Sequence, residues 1–478
     1  MALRSRFVVL AVVVFAVMVV RTWEGTTEGD FYVHAAVVRE LAARPLQPRH
    51  AQLSADAAHE YYSPYALAAG LVSRFTGVSA VDTLRAFGIV NLILLLIAMR
   101  RLAGALEPGR ADAVAFYALL FTLLLWGAEP WYYSGFLHLP VLAAVLPYPS
   151  TFALALGMLV AATTRRSKHA TAATAIALAV VLVTHPIAFI IVAALMIARL
   201  WRDSADARRK TVIALTAAVM LAIVWPYYSL LHLSSTDVSS FYDYNVAMYE
   251  RVVGQTWPAL AGVVAIALLW RADRRHPLPI GALLLAAVYA AGAISGAYFF
   301  GRVISGLVMM LHFAIAMVVS RIEVKTARLH LVTAMVFAIC VAISYTNAIR
   351  PQISELAAGR RPPDPLAFVA RFVGHDDVVM AGEEDSLRVT AFAGKVVAAS
   401  NPMTFVPDLI ERKAAAGRFF DASTAATDRD AIIRRYAVQW ILIDKAAWPD
   451  WWSLTNGRPA YEDARYALVA VEPASGSR

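Results

Sequence analysis

A series of long apolar segments in the first 346 residues constrains the fold more than any other feature. A helix that crosses a bilayer needs roughly 17–25 apolar residues. Eleven segments approach that requirement: 5–22, 84–100, 111–127, 147–163, 170–186, 187–201, 211–231, 258–270, 277–296, 303–320 and 329–346. With 60% hydrophobic and 16% charged residues, the chain is too apolar for a water-soluble protein. The sequence therefore predicts a polytopic α-helical membrane protein with about 11 transmembrane helices.

The basic residues between these segments predict the orientation. After position 346 the chain has 16 of its 43 basic and 17 of its 34 acidic residues, so this part is nearly neutral. The net charge of +9 therefore arises from the first 346 residues. With the N-terminus inside, the inner loops carry 19 of the other 27 basic residues, at 4–6, 100–110, 165–168, 199–210, 271–275 and 321–328. Loops rich in Lys and Arg stay cytoplasmic. We therefore expect a multi-pass protein of the cell (plasma or inner) membrane, with a cytoplasmic N-terminus, an extracytoplasmic C-terminal domain and no nucleic-acid partner.

Two polar regions are expected on the outer face. Residues 23–83 form the largest outer loop, with half-apolar helices at 30–43 and 64–76 that are expected to lie at the membrane surface. After 346, helical stretches alternate with short β-rich runs at 378–380, 395–398 and 440–443. The sequence thus predicts a transmembrane domain over 1–346, which includes the 23–83 loop, and a small α/β domain over 347–478.

Two acids and a histidine follow the first apolar segment directly. Asp30 and His34 are four residues apart and would share one face of a helix, and Glu28 lies just before them. A carboxylate here suits general-base work on a hydroxyl group. It must stay ionised, although the bilayer boundary raises a carboxyl pKa unless a partner such as His34 offsets it. The alternative is that Asp30 caps the helix and Glu28 is a solvated loop charge.

Arg302 lies at the outer end of the tenth apolar segment. An arginine at a membrane boundary often extends to lipid phosphate. A guanidinium there can equally hold a substrate phosphate through two parallel hydrogen bonds. Few basic residues lie on the outer face, so Arg302 is the preferred phosphate ligand.

Further polar and aromatic residues of the outer loops are candidate sugar-binding or phosphate-binding groups. They are His59, Tyr61 and Tyr62 ahead of the helix at 64–76, and Glu129 and His138 between the third and fourth apolar segments. An aromatic belt at the membrane interface is the alternative interpretation of both groups. Carboxylates beside Trp and Tyr also suit a sugar.

The sequence lacks the motifs of several classes of enzyme. Nothing matches a P-loop, a dinucleotide fingerprint, an HExxH zinc site or a GxSxG elbow. A transferase without a nucleotide motif should use a donor that is activated by another group and reached from the membrane. Cys340 is the sole cysteine, which excludes a cysteine-based metal site. Glu28, Asp30 and His34 could hold a divalent ion, but the favoured expectation is no cofactor.

Short motifs resemble the GT-C superfamily of polyprenyl-phosphate-dependent membrane glycosyltransferases. They are Glu28-Gly29-Asp30 after the first segment, Tyr62-Ser63-Pro64 at the second loop helix, and the tail stretches 388–395, 406–408 and 434–444, which look like those of mannosyltransferase- or arabinosyltransferase-like members. The resemblance covers the whole architecture, although each motif is short.

The resemblance implies a mechanism at the outer face. A sugar on a polyprenyl phosphate would be the donor, and a lipid or glycan of the cell envelope the acceptor. Asp30 would take the proton of an acceptor hydroxyl, which attacks the anomeric carbon with inversion. Arg302, with His59 or His34, would neutralise the leaving phosphate. Many relatives carry two adjacent acids, whereas a glycine separates Glu28 from Asp30 here, so either acid fits the role of base.

Two other functions fit a polytopic protein with such a tail. One is a transporter or flippase of a lipid-linked glycan, and the other is a non-catalytic protein of envelope assembly. A transporter usually places ionisable groups near the bilayer midplane. The interiors of the predicted spans are nearly free of charge, and polar residues gather at the outer face. The pattern therefore favours chemistry at the outer face.

Overall fold

The structure is a computed structural model that describes residues 2–24, 29–127, 131–163, 167–235, 242–326, 329–357, 359, 364–450, 454 and 457–471. Its α-helices are α1 (Ala2–Glu24), α2 (Asp30–Ala43), α3 (Pro64–Thr76), α4 (Ala80–Leu106), α5 (Ala111–Leu124), α6 (Leu139–Val145), α7 (Pro149–Ala162), α8 (Lys168–Thr184), α9 (Pro186–Arg199), α10 (Ala205–Ile223), α11 (Leu230–Ser235), α12 (Tyr242–Glu250), α13 (Val252–Thr256), α14 (Ala261–Ala272), α15 (Pro277–Ser295), α16 (Ile304–Thr326), α17 (Leu329–Ser344), α18 (Arg350–Ala357), α19 (Glu383–Phe392), α20 (Leu409–Phe420) and α21 (Ala426–Arg435). Its strands are β1 (Val378–Met380), β2 (Lys395–Val396), β3 (Val438–Asp444), β4 (Pro459–Glu462) and β5 (Tyr466–Ala470).

Each of the eleven predicted apolar segments contains an α-helix. Among the described residues, six helical segments are long and apolar enough to cross a membrane. A seventh is obtained if α6 and α7, which meet at a bend of 102°, form one span. The predicted polytopic helical membrane protein with a small C-terminal sheet is therefore confirmed, while the count of eleven spans stays a prediction.

Contact clustering divides the chain into two compact units. The membrane unit comprises Met1–Thr26, Arg85–Trp225 and Ser229–Arg361, and the sheet unit comprises Thr27–Leu84, Pro226–Tyr228 and Pro362–Arg478. This division differs from the predicted boundary at 346, because most of the 23–83 loop belongs with the C-terminal sheet. The tertiary reason is a set of contacts between residues more than 300 positions apart, including a β-bridge between Leu53 and Val396.

The membrane unit has a continuous apolar core with close helix contacts at small residues. A side chain at Gly157 of α7 would place its Cβ 2.2 Å from Val192 Cγ2 on α9. A side chain at Gly262 of α14 would place it 2.5 Å from Leu311 Cβ on α16. Small residues allow membrane helices to approach closely, where van der Waals packing holds them together.

The sheet unit is built on a mixed five-stranded sheet in the order β2-β1-β3-β5-β4. The pairs β1–β2 and β1–β3 are parallel, whereas β3–β5 and β4–β5 are antiparallel. Successive side chains of a strand point to opposite faces. Accordingly, Val379 and Leu442 join the apolar core on one face, and Met380 and Ile441 join that on the other.

The first two helices of the sheet unit have buried faces. Along α2, every residue from Phe31 to Val38, together with Glu40 and Leu41, is buried. α2 packs closely on α3, where a Cβ at Gly70 would lie 2.7 Å from Leu41 Cβ. α2 is therefore covered by protein on most of its surface, and its position at the membrane surface stays a prediction.

Candidate active site

Asp30 is the first residue of α2, directly after a glycine turn. Gly29 occupies the N-cap position with φ +55°, a conformation that residues with side chains rarely adopt. Asp30 is exposed. The cap position thus belongs to Gly29, and Asp30 lies in the first helical turn, where the helix dipole stabilises a negative charge. Glu28, the other predicted acid, lies outside the described residues.

The first turn of α2 is attached to the C-terminal part of the sheet unit. The Tyr32 hydroxyl donates to Asp364 Oδ2 at 2.5 Å, and Arg388 Nη2 donates to Asp364 Oδ1 at 3.0 Å. The guanidinium of Arg388 also lies over the Tyr32 ring. These contacts fix the turn that carries Asp30.

Glu40 is the centre of a buried charge network on the same helix. Its Oε1 accepts from Arg44 Nη1 at 3.1 Å and from the backbone N–H of Arg49 at 2.9 Å. Its Oε2 accepts from His375 Nε2 at 2.9 Å and Lys395 Nζ at 2.6 Å. Burial alone would raise the pKa of Glu40, but the bonds from His375 and Lys395 outweigh it and hold that pKa well below its usual range. Glu40 therefore stays ionised.

Lys395 is a buried lysine whose three donors are all used. Besides Glu40, its Nζ donates to the carbonyl oxygens of His50 at 2.8 Å and Ala51 at 3.1 Å. Burial lowers the pKa of Lys395 to about 8, and the charge of Glu40 opposes that shift. Lys395 thus joins α2, the following loop and β2 at one point.

The described residues include one group with the side chains of a metal site. It consists of Glu40, His375 and Asp376, whose ligand atoms lie within 4.8 Å of one another. Glu40 already accepts from Lys395, and Asp376 is paired with Arg44. A cation would have to displace both positive groups. The cluster is therefore suited to an ion-pair network rather than to a metal ion.

Four of the predicted site residues come together beside α2. The His34 and Tyr61 rings stack with centroids 4.8 Å apart, and the His59 ring lies 5.4 Å from Tyr61 and 5.5 Å from Tyr62. Burial, followed by the charges of neighbouring groups including His34, lowers the pKa of His59 well below its usual value. A neutral His59 offers a phosphate a hydrogen bond but no positive charge, which changes the way it could assist a leaving group.

Tyr62 has a structural position instead of the predicted contact with substrate. Its side chain is 1% exposed, and its hydroxyl donates to the carbonyl of Arg49. The ring also meets Tyr227 edge-on. Tyr62 therefore supports the cluster from within the core, and Tyr61 is the member that remains partly exposed.

Arg302 belongs to the membrane unit, in a 3₁₀ helix at Tyr298–Val303. It is half-buried, and its Nε donates to Asn245 Oδ1 at 3.2 Å. Its two terminal nitrogens bond to none of the residues that the structure describes. Those are the nitrogens with which an arginine holds a phosphate.

His138, also in the membrane unit, is a buried packing residue. It is fully buried, and its Nε2 bonds to the Trp131 carbonyl at 2.7 Å. Its ring meets those of Trp126 and Tyr132 edge-on. This geometry supports a loop and does not favour the predicted sugar contact. Glu129, predicted beside it, lies outside the described residues.

No family model matches the sequence, and no curated protein matches it. Solved structures do match. ArnT from Cupriavidus metallidurans bound to undecaprenyl phosphate is 15% identical, with 98% of this chain and 99% of ArnT covered at a TM-score of 0.57. Its apo state is 13% identical, with 97% of each chain covered at 0.56. The apo oligosaccharyltransferase of Archaeoglobus fulgidus is 10% identical, with 93% of this chain and 70% of that chain covered at 0.55.

Both neighbours are GT-C superfamily proteins. The chain has the GT-C fold. The resemblance expected from the motifs is thus confirmed at the level of the fold, over nearly the whole chain. Within this GT-C fold, the first long loop packs on the C-terminal sheet. This packing positions α2 and Asp30.

Sequence reasoning missed two members of the cluster in this GT-C fold, His50 and Glu60. The His50 ring lies 4.8 Å from that of His59, and Glu60 Oε2 lies 3.9 Å from His59 Nδ1. Burial raises the pKa of Glu60 to about 7. The run His59-Glu60-Tyr61 contained a signal, since an acid lay between two residues already selected.

Proposed function

We propose that the protein is a membrane glycosyltransferase. It transfers a hexose or pentose, such as mannose or arabinose, from a polyprenyl-phosphate donor to a hydroxyl of an extracytoplasmic lipid or glycan acceptor. The observation that carries this proposal is the match over nearly full length to ArnT, whose solved structure holds undecaprenyl phosphate.

Asp30 is the general base of this proposal. Its exposed position in the first turn of α2 favours the ionised form that a base needs. Asp30 takes the proton of the acceptor hydroxyl while the hydroxyl oxygen bonds to the anomeric carbon. The bond from that carbon to the phosphate oxygen breaks, and its electron pair leaves with the polyprenyl phosphate. Attack from the face opposite the phosphate inverts the anomeric centre. Glu28 is the substitute base.

Binding of the donor is assigned to cationic and aromatic groups. The two terminal nitrogens of Arg302 suit the phosphate, whose negative charge grows as the sugar leaves. His34 and His59 are the further phosphate candidates, with His59 acting as a neutral hydrogen-bond donor. Tyr61, stacked on His34, offers an aromatic face to the sugar.

The proposed setting is the outer face of the cell membrane. The N-terminus is cytoplasmic and the C-terminal part extracytoplasmic, as the distribution of basic loops favours. The donor arrives laterally from the outer leaflet. Catalysis needs no metal ion in this scheme, because Asp30 supplies the base and Arg302 the positive charge.

Transfer in proteoliposomes tests the proposal. Purified protein is mixed with undecaprenyl-phospho-mannose or -arabinose and radiolabelled sugar is followed into candidate lipid and glycan acceptors. Asp30→Asn should lower the transfer rate by about 10²–10⁴-fold, because the amide cannot take the proton. A chelator should leave the rate unchanged.

Asp428→Asn is the matched control, since Asp428 is also an exposed aspartate in the first turn of a helix, α21. It should transfer at the wild-type rate. Full activity in Asp30→Asn would refute the assignment of the base, and loss in Glu28→Gln alone would move the role to Glu28.

A further inference from the structure

The loop between α2 and α3 buries two imidazoles that lack hydrogen-bond acceptors. His50 and His59 are both fully buried, with ring centroids 4.8 Å apart at 38°. The Nε2 atom of each has no partner among the described residues. Buried polar atoms are nearly always bonded to protein, water or ligand, so this pair needs a partner that the chain does not supply.

Backbone contacts fix which ring nitrogen carries hydrogen. His50 Nδ1 accepts from the backbone N–H groups of Gln52 at 3.2 Å and Leu53 at 3.0 Å. His59 Nδ1 accepts from the N–H of Tyr61 at 3.2 Å. Each Nδ1 is therefore a lone pair and each Nε2 carries the hydrogen. Both rings stay neutral, because burial first, and nearby positive groups second, lower the pKa of His50 to about 3, and the pKa of His59 is also low.

Glu60 adds an acceptor to these two donors. Its Oε2 is buried without a partner among the described residues, while its side chain as a whole is 13% exposed. The 3.9 Å contact with His59 Nδ1 is not an ion pair, since that nitrogen has no hydrogen. Glu60 is therefore the member of the three whose side chain reaches solvent.

The chemistry of the three groups selects the class of ligand. A phosphate would be repelled by the ionised form of Glu60, which is present at and above its pKa of about 7. A metal ion would need a lone pair at Nε2, which the backbone contacts deny. A hydroxyl group satisfies both sides, because its oxygen accepts from an imidazole N–H and its hydrogen is donated to the carboxylate. Tyr61, which is partly exposed and stacks on His34 beside the cluster, offers a flat face for the C–H groups of a sugar ring.

We propose that His50, His59 and Glu60 form a subsite for the hydroxyl groups of a sugar. The subsite fixes the orientation of that sugar, so these are positioning and specificity residues. The inference rests on the proposed function for the identity of the sugar, which is carried by either the lipid donor or the glycan acceptor. It changes the assignment of His59 from the donor phosphate to a sugar hydroxyl.

The test is equilibrium binding to the full-length protein in nanodiscs. The probes are undecaprenyl phosphate, undecaprenyl-phospho-mannose, undecaprenyl-phospho-arabinose and a soluble mannose or arabinose oligosaccharide. Wild type should bind at least one sugar-lipid more than 10-fold tighter than undecaprenyl phosphate if the donor sugar fills the subsite. If the acceptor sugar fills it, wild type should instead bind an oligosaccharide.

Glu60→Leu should reduce that preference to below about 3-fold, and Glu60→Gln, whose amide keeps one acceptor, should lose only part of it. His59→Phe should behave like Glu60→Leu. Binding of undecaprenyl phosphate itself should change by less than 2-fold in Glu60→Leu and Glu60→Gln, which also reports that both variants are folded. Glu384→Gln, an exposed glutamate of the same unit, is the matched control and should match wild type.

The outcomes separate the two proposals. Loss of preference only among the lipids assigns the donor sugar, and loss only with the oligosaccharide assigns the acceptor. If Glu60→Leu binds every sugar as wild type does, the subsite is refuted and the orphaned groups hold water, while the transferase proposal stands. If wild type binds neither lipid nor oligosaccharide, the proposed function itself is refuted.

Discussion

Glu40 and Glu60 are glutamates of the same compact unit, twenty residues apart, and both have buried carboxylate oxygens. Glu40 accepts four hydrogen bonds, two of them from His375 and Lys395. Glu60 Oε2 accepts none from the described residues. Their pKa values accordingly move in opposite directions, well below the usual range for Glu40 and up to about 7 for Glu60.

This difference separates a structural charge from a candidate functional one. A buried charge whose lone pairs are all satisfied holds its surroundings in one arrangement and has nothing left to offer a ligand. A buried carboxyl oxygen without a partner costs folding energy, and such costs are concentrated at functional sites. Within one unit, α2 is therefore the rigid support and the loop between α2 and α3 is the place to look for a ligand.

The largest expected effect is at Glu40, whose carboxylate is fully hydrogen-bonded. Glu40→Ala leaves Lys395 buried without its counter-charge and should destabilise the contacts of α2 by about 3–5 kcal/mol. Hydrogen exchange of the α2 backbone amides reports this as a lower opening free energy. Glu384→Ala, at an exposed position of α19, is the matched control and should stay within about 0.5 kcal/mol of wild type. Equal effects in the two variants would show that Glu40 is not the anchor.

A double variant sharpens that result. Glu40→Leu combined with Lys395→Met removes both charges and should destabilise the unit by less than the sum of the single variants, with a coupling of about 1–3 kcal/mol. The reason is that neither charge is then left buried alone. Additive losses would mean that the two side chains act independently, contrary to their 2.6 Å contact.

The pH dependence of stability tests Glu60, whose Oε2 accepts no hydrogen bond from the described residues. The pKa of Glu60 is about 7 when folded, above its ordinary value of 4.5. Between these values the folded state binds more protons than the unfolded state, so Glu60 makes stability fall as pH rises from 4.5 to 7. The contribution is at most on the order of 3 kcal/mol. Of the groups facing Glu60, His59 has its pKa lowered by burial, whereas burial raises the pKa values of Tyr62 and Tyr228, which already lie above this window.

Thermal unfolding in detergent, followed between pH 4 and 8, measures this dependence as the difference between wild type and Glu60→Gln. The variant should gain relative to wild type as pH rises through the window and keep that gain above pH 7. Parallel curves for the two proteins would place the carboxyl of Glu60 in a water-like environment and remove one support for the sugar subsite.

The sequence predicts the elements of this fold well because their signals are local. The helices at 30–43 and 64–76 are found with those bounds, and the β-rich runs at 378–380 and 440–443 lie in β1 and β3. Ser63 caps α3 through the N–H of Ala66, and Gly77 ends it with φ +71°. Apolar periodicity, a capping serine and a terminal glycine all act within a few residues.

The packing of α2 is not predictable in the same way, since its partners are more than 300 residues distant. The sequence predicts only that Arg39 and Glu40 belong to a half-apolar helix. In the structure, Arg39 Nε donates to the Thr390 carbonyl at 3.0 Å, and Glu40 pairs with Lys395. α19, which carries Thr390, was not predicted at all. Tertiary pairing of this kind leaves no periodic mark. The sequence therefore groups the loop with the apolar segments, whereas contact clustering groups it with the sheet, and Glu60 was overlooked.

The smallest effect expected is at the first turn of α2, where the Tyr32 hydroxyl donates to Asp364 in the tail. Tyr32→Phe removes the donor to Asp364 and should cost about 1–2 kcal/mol, because Arg388 still pairs with that carboxylate. Hydrogen exchange should rise in the first turn of α2 but not around Glu40. Tyr461→Phe, which removes a similar bond from Tyr461 of β4 to Asp463, is the control and should leave α2 unchanged. If exchange rises along the whole of α2, the helix opens as one unit, and the network at Glu40 does not hold its centre independently of its first turn.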